Sequence, residues 1–468
     1  MKLPVALFLS AAVIGTAGAQ TPPQKPNTTP IPPTTELQLP PPPLPGEVGT
    51  NPITADEAAM IGLRLQPNVT VALAQAAAAR AQVQIATAGL LPTATATSQL
   101  NWLFNLNSRN NGSTASSQTS WASTVSAKQL VFDFEKTMDQ VREARATAKA
   151  AAYNLSAVQS NLVFQVKGQY YTVVENLQLV GVYESEVKST QDQLNLIIAQ
   201  LTAGLGLPSD VVSATANLAN ATSSLVQARE TYLLSRVSLA ALIGVDPRTP
   251  LVLANSSEPA NDSTDLNALV DSGLRNRPEI LQAQETLRAS GYSVSIARKQ
   301  LLPSINLNAN ISSTGARGQT NNDSSAIGIS LNWTFFDSGL SAGEVAAAKA
   351  SALEAKANLV SQTQSVVSDV SGAFVSLQAA TQRVAVAASA VMNAQEGLRL
   401  SEGRFKAGVT TFVEVTTAQA TLVTAQASQA GAQDSLQTAR AQMARAIGTS
   451  IKAPKPDEIK PIVPSNKP

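Results

Sequence analysis

The chain contains no histidine and no cysteine. Thiolate and imidazole chemistry are therefore excluded: no disulfide, no zinc held by either group, and no triad built on either residue. What remains are carboxylates, lysines and hydroxyls, and these converge into no acid–base or nucleophilic constellation. We expect neither an enzyme nor a cofactor, and five methionines are too few for dedicated metal sites along a wall. Two carboxylates stand out by position. Asp210 and Glu414 lie 204 residues apart, each at the start of a predicted helix, where the macrodipole stabilises negative charge. Lys plus Arg number 33 against 32 Asp plus Glu, so no basic face is advertised for nucleic acid.

The spacing of that pair belongs to a general pattern. Leu91-Pro92 recurs as Leu302-Pro303, and Arg64 to Pro67 answers Arg275 to Pro278, both at an offset of 211. Downstream the offset is 204: Val131-Phe132-Asp133 matches Phe335-Phe336-Asp337, Ala203-Gly204-Leu205 matches Ala407-Gly408-Val409, and Ile243-Gly244 matches Ile447-Gly448. An internal duplication is the reading, with repeats over 52–263 and 264–450. Each predicts helix, strand, loop, strand, long helix, tight turn and helix.

The long helix, Glu135 to Ala203, carries apolar residues at alternating spacings of three and four. The seam runs Val163, Val166, Tyr170, Val173, Leu177, Val180, Glu184, Val187, Gln191, Leu194, Ile198, Leu201. It is echoed 204 residues on from Val367 through Phe374, Thr381, Ala388, Gln395 and Glu402 to Phe405. A 3.5-residue period over five heptads predicts a coiled coil, and 69 residues at ~1.5 Å each predict a span of roughly 100 Å. The helices that follow keep a similar seam, from Val211 to Leu242 and from Val415 to Ala446.

Four short segments alternate apolar with polar residues: about 93–106, 123–134, 304–313 and 326–336. That alternation is the signature of membrane-spanning strands. The tryptophans Trp102, Trp121 and Trp333 lie in or beside them, as interfacial aromatics would. Polar loops Asn105 to Ser120 and Ser312 to Ser325 join the strands. Four strands cannot close a membrane barrel, whose smallest size is about eight. Two, three or four copies would supply 8, 12 or 16, and the sequence alone does not choose. Residues 1–19 read as a signal peptide ending in Ala17-Gly18-Ala19. Residues 20–51 are a Pro-rich leader expected to lack a packed core, and 451–468 are a tail.

The order and repetition of Pro67-Asn68 and Pro278-Glu279, the Leu-Pro and Phe-Asp landmarks, and Phe405-Lys406-Ala407-Gly408-Val409 with Glu414-Val415 resemble the TolC family of outer-membrane efflux proteins. The resemblance covers roughly residues 52–450. It implies a mainly α fold with a β-barrel part: a homotrimer whose 12-stranded barrel sits in outer-membrane lipid and continues into a coiled-coil α-barrel in the periplasm. It implies a passive exit duct for small molecules or proteins, serving a periplasmic adaptor protein and an inner-membrane pump of the RND or ABC type. Gly204, Leu205, Gly408 and Val409 would then be the adaptor-contact tip, and Asp210, Glu414 and Phe405 the periplasmic gate. The chain departs from the family pattern with Thr410 where an arginine can lock neighbouring helices and Thr417 where a second aspartate can lie. A structural or adhesive surface coiled coil is the alternative; it accounts for the heptads but not for the tryptophan-flanked strand pairs.

Overall fold

The computed structural model describes residues 52–107, 114–204, 206–249, 251–254, 256–259, 265–317 and 320–449. The expected signal, leader and tail (1–19, 20–51 and 451–468) lie outside the described residues, as does Leu205. In chain order the elements are α1 (Ala55–Leu65), α2 (Pro67–Ala88), β1 (Thr93–Asn107), β2 (Thr114–Phe132), α3 (Lys136–Thr202) and α4 (Pro208–Ile243). The same series follows as α5 (Leu266–Asn276), α6 (Pro278–Arg298), β3 (Ser304–Ala316), β4 (Asn322–Asn332), α7 (Leu340–Lys406) and α8 (Phe412–Ala446). The strands form one antiparallel sheet in the order β1-β2-β3-β4.

The structure corrects the expected series in one respect: the helix before each hairpin is two helices. Pro67 and Pro278 begin α2 and α6, and the residues before them, Gln66 and Arg277, are extended (φ −72°, ψ 122° and φ −67°, ψ 127°). Proline pushes its predecessor out of the helical region and fits only the first turn of a new helix. The strands also run into segments expected to be loops. β2 begins at Thr114 rather than near 123, and β3 and β4 leave only residues 317–321 between them. At its other end β4 stops at Asn332, four residues short of the expected 336.

Each long helix holds 67 residues, about 100 Å at ~1.5 Å per residue. The corner that leads into it explains the Phe-Asp landmark. Phe134 and Glu135 (φ 55° and 62°) and, 204 residues on, Ser338 and Gly339 (φ 56° and 91°) are consecutive left-handed residues that swing the chain out of its strand. The aspartate just before each pair then secures the helix start. Asp133 Oδ2 accepts from the Thr137 backbone N–H at 2.8 Å and its hydroxyl at 2.5 Å; Asp337 Oδ2 accepts from the same two groups of Ser341 at the same distances. Left-handed backbone costs a residue with a side chain about 1–2 kcal/mol, so the cap offsets strain at its own doorstep.

Near the sheet α3 packs between α2 and α6; further along it packs between α4 and α8, while α7 takes α6 and then α8. Two short helices in succession thus accompany each long one. The coiled-coil seam has the expected period but only a third of the expected positions. Val163, Val166, Tyr170, Val173, Val180, Leu194, Val370 and Val391 are buried as anticipated. Several other positions move back by one residue: Asn176, Thr190 and Ile197 are buried in α3, and Val366, Ala373, Ala380, Ala387 and Ser401 in α7. Leu177, Ile198 and Val367 are left exposed. The small alanines and serine allow close approach of the neighbouring helix, so packing selects them over the larger side chains beside them.

Two small cores sit midway along the long helices. The first gathers Val163, Val166, Tyr170 and Val173 of α3 with α1 and the end of α4; the second gathers Val366, Val370 and Ala373 of α7 with α5 and the end of α8. If the corner cap works as argued, Asp133→Ala should destabilise the protein by about 1 kcal/mol, while Asp133→Asn keeps most of the cap. Thermal unfolding of the two variants side by side checks this.

Candidate functional site

The sheet has two unlike faces. Strand pairing sets Leu100 opposite Trp121, Val125 opposite Ile311, Leu307 opposite Ile329 and Ile305 opposite Leu331, all on one side by the period-two rule. The other side carries Thr95, Ser126, Asn308, Asn310, Ser312, Ser324 and Ser330. Its hydroxyls and amides bond across strands, as in Thr95–Ser126 at 2.7 Å and Asn308 to Ser330 at 2.8 Å. The apolar side is uncovered: Ile327 is 76% exposed and Ile329 75%. A bare apolar face of this size is not a water-facing surface. The outer edges of β1 and β4 have no strand partner among the described residues.

The three tryptophans bracket that face. Trp121 lies directly across from Gly315, where an added Cβ would stand 2.5 Å from its indole nitrogen; the glycine makes room for the ring. Trp102 is exposed on the same side. Trp333 stands just past the end of β4, beside the helices, and its indole N–H donates to the Leu301 carbonyl at 3.1 Å. Two rims of aromatic residues with isoleucine, leucine and valine between them fit a lipid slab and its interfaces. Among the described residues no helix is long and apolar enough to cross a membrane.

At the far end of the helices the two repeats meet again. Leu194 and Ile197 of α3, Ala214 of α4 and Phe412 of α8 form a buried cluster, with Val211, Leu218 and Phe405 packed against it. Phe405, expected at the gate, stacks at a tilt on Phe412 with ring centroids 5.9 Å apart. The two turns are glycine-dependent: Gly204 and Gly408 have φ of 75° and 73°. At the second, the Gly408 N–H donates to the Phe405 carbonyl and the Val409 N–H to that of Arg404, both at 2.9 Å, which closes the helix end as a Schellman turn. Val409 is 68% exposed at the extremity.

The two expected gate carboxylates are not in equivalent settings. Glu414, in the first turn of α8, takes an ion pair from Arg404 at 2.7 Å and a hydrogen bond from the Thr410 hydroxyl. Asp210, in the first turn of α4, has no ion pair among the described residues. Arg404 was not singled out from the sequence. Its partner lies across a turn ten residues on, a distance no helical spacing rule covers.

A second cluster that sequence reasoning missed ties the connector between the repeats to α3 and α8. Buried Glu258 accepts from Lys167 Nζ at 2.8 Å and from the Tyr171 hydroxyl at 3.0 Å. Its backbone N–H donates to Gln437 Oε1 at 2.7 Å, and its carbonyl accepts from Arg440 at 3.1 Å. Lys167 also pairs with Asp56 at 2.7 Å. Burial pulls the lysine's pKa down, but bonds to Asp56 and Glu258 outweigh it and hold the group above its usual value.

A sheet built for lipid, joined through capped corners to helices of about 100 Å, defines a class: a membrane protein with a strand-built anchor and a long helical body. The chain matches the outer membrane efflux protein family over residues 63–245 and 269–449, one match to each repeat. It belongs to that family, whose place is the outer membrane with the helices extending into the periplasm. It is 25% identical over 302 residues to the outer membrane efflux protein BepC of Brucella suis, covering 64% of this chain and 66% of that protein; it thus spans just under two thirds of that relative's length. The fold is that of the outer-membrane channel OprN, with a TM-score of 0.74 at 22% identity, over 84% of this chain and 90% of that one. The Campylobacter jejuni CmeC outer membrane channel is similar too, with a TM-score of 0.75 at 16% identity, over 85% and 86% of the two chains.

The glycines give a paired test. Gly408 and Gly448 share a left-handed φ, 73° and 75°. An added Cβ meets nothing at Gly408 but comes within 2.9 Å of the Asn276 backbone at Gly448. Gly408→Val should therefore cost only the backbone strain, about 1–2 kcal/mol, and Gly448→Val clearly more. A larger fall in melting temperature for the second variant is the expected result.

Proposed function

We propose that three copies of this chain form a passive exit duct through the outer membrane, delivering small molecules or proteins handed on by a periplasmic adaptor and an inner-membrane pump. The observation that carries the reading is the sheet: four strands with a bare apolar face and two open edges. Backbone groups cannot stay unpaired in lipid, so β1 of one copy must meet β4 of the next until the barrel closes. Three copies give 12 strands, in line with the trimer the family resemblance implies. The polar face, rich in Asn, Ser and Thr, then lines a water-filled lumen. The tip turns at Gly204 and at Gly408–Val409 are the surface offered to the adaptor. A surface adhesin would have no use for a two-faced sheet with one side left bare. No step of this reading needs catalysis or a cofactor.

At the gate, threefold symmetry turns each carboxylate into a ring of three. The Asp210 ring is uncompensated, whereas each Glu414 is offset by Arg404. Purified protein in a planar bilayer should conduct; absence of any conductance sinks the proposal. In that assay Asp210→Asn should lower cation preference more than Glu414→Gln does. Arg404→Ala should raise it, with reversal potentials in a salt gradient shifting severalfold in permeability ratio. An unchanged ratio in all three variants would move the filter elsewhere.

A further inference from the structure

Away from the tip, the lower helices of the two repeats are joined where α3 lies against α8. Along this junction Ser189 donates to Gln419 at 3.1 Å and Arg445 to Asn161 at 2.7 Å. Between these two contacts Glu175 of α3 faces Asp434 of α8. A Cβ at Gly431, one turn before Asp434, would lie 3.1 Å from Glu175 Oε1; the glycine leaves the space that the carboxylate fills. Asp434 Oδ1 is buried and has no hydrogen-bond partner.

Neighbouring charges do not relieve the pair. On α8, Arg440 donates to the Glu258 carbonyl at 3.1 Å, and Arg445 is bonded to Asn161 and lies over the Phe164 ring at 5.4 Å. On α3, Lys167 is held by Asp56 and Glu258. On α4, Glu230 is exposed and Tyr232 and Arg236 are half-buried, and on α7 Arg383 is exposed. Burial first, then the charge of Glu175, pushes the Asp434 carboxyl up to about 7. Burial raises Glu175 as well. Two desolvated carboxyls in contact keep a proton that either would release in water.

We propose that Glu175 and Asp434 share one proton and form an acid-tightened clasp between the two repeats. When the junction parts, both groups face water and behave as ordinary carboxyls. Between the ordinary aspartate value of 3.8 and about 7, the closed junction therefore holds a proton that the open one has lost. Its stability is full below that window and falls as pH rises through it, by up to about tenfold in the closing equilibrium per pH unit, then levels off. The clasp makes the contact between α3 and α8 respond to the acidity of the surrounding solution.

The test is hydrogen exchange of the full-length protein in detergent, read as protection factors from pH 4.5 to 8. The α3 and α8 peptides around Glu175 and Asp434 are compared with α7 peptides around Ala387, where no carboxyl pair is buried. Wild-type protection at the clasp should fall steeply with pH relative to the α7 control. In Glu175→Gln and in Asp434→Asn, both near-isosteric, the clasp peptides should follow the control. A wild-type clasp whose protection tracks the control across the range overturns the proposal, and so does a steep fall retained in both variants. Neither readout depends on whether the protein conducts.

Discussion

The structure depends on an unfinished sheet. A soluble four-stranded sheet can bury one face and leave its edges to water, but this one, among the described residues, leaves its apolar face bare and both edges open. In lipid each unpaired N–H or carbonyl costs several kcal/mol, and an open strand edge carries a row of them. In the proposed trimer, closure with other copies is thus a condition of the fold in its membrane. That requirement also decides what the helices do, because α3 and α7 leave the sheet through corners of fixed geometry. Once the strands close into a ring, the long helices must form a ring beneath them.

The corners are where that constraint is transmitted, and they are built twice with the same parts. A left-handed pair of residues and a capping aspartate stand at 134–135 with Asp133 and at 338–339 with Asp337. In the first repeat both left-handed residues carry side chains, Phe134 and Glu135, although glycine would relieve the strain, as Gly339 does in the second. Such a turn persists only when both elements it joins are held independently. Strand pairing holds one side, and Asp139 holds the other, fixed by Lys299 at 2.6 Å and Arg142 at 2.7 Å.

Much of this was legible because duplication makes weak signals repeat. Pro67 and Pro278, the Phe-Asp corners and the αL glycines 204, 244, 408 and 448 each appear at matching positions, and their local chemistry is fixed by neighbours in sequence. The split of α1 from α2 was in the same signals and went unread, although a proline after an extended residue is a helix boundary. The seam was harder. Period alone cannot say which of two adjacent apolar positions faces the partner, and Ala373 or Ala380 can be chosen over Phe374 or Thr381 only by how closely α8 approaches. Strand ends were misjudged because the hairpin tips are polar on both faces, so alternation fades while backbone pairing continues. Contacts such as Glu258 with Lys167, or Arg404 with Glu414, join residues whose spacing follows no periodic rule.

The same duplication leaves the two halves unlike where charge is concerned. Position 404 is arginine and its counterpart 200 is glutamine; Thr410 corresponds to Gly206. One tip turn therefore carries a carboxylate neutralised within its own hairpin, and the other, with Asp210, a carboxylate left to its surroundings. Higher up, buried Arg277 pairs with exposed Asp369 at 2.7 Å, whereas the first repeat has Gln66 and Gln165 at those places. The αL glycines 204/408 and 244/448, the prolines 67/278 and 92/303 and the corner aspartates, which set backbone geometry, match between the halves; paired charges do not. Backbone geometry has to match because, in the proposed trimer, both halves lie side by side in one ring of strands and helices. Charge is under no such demand, so each half can place its carboxylates to suit the neighbour it meets.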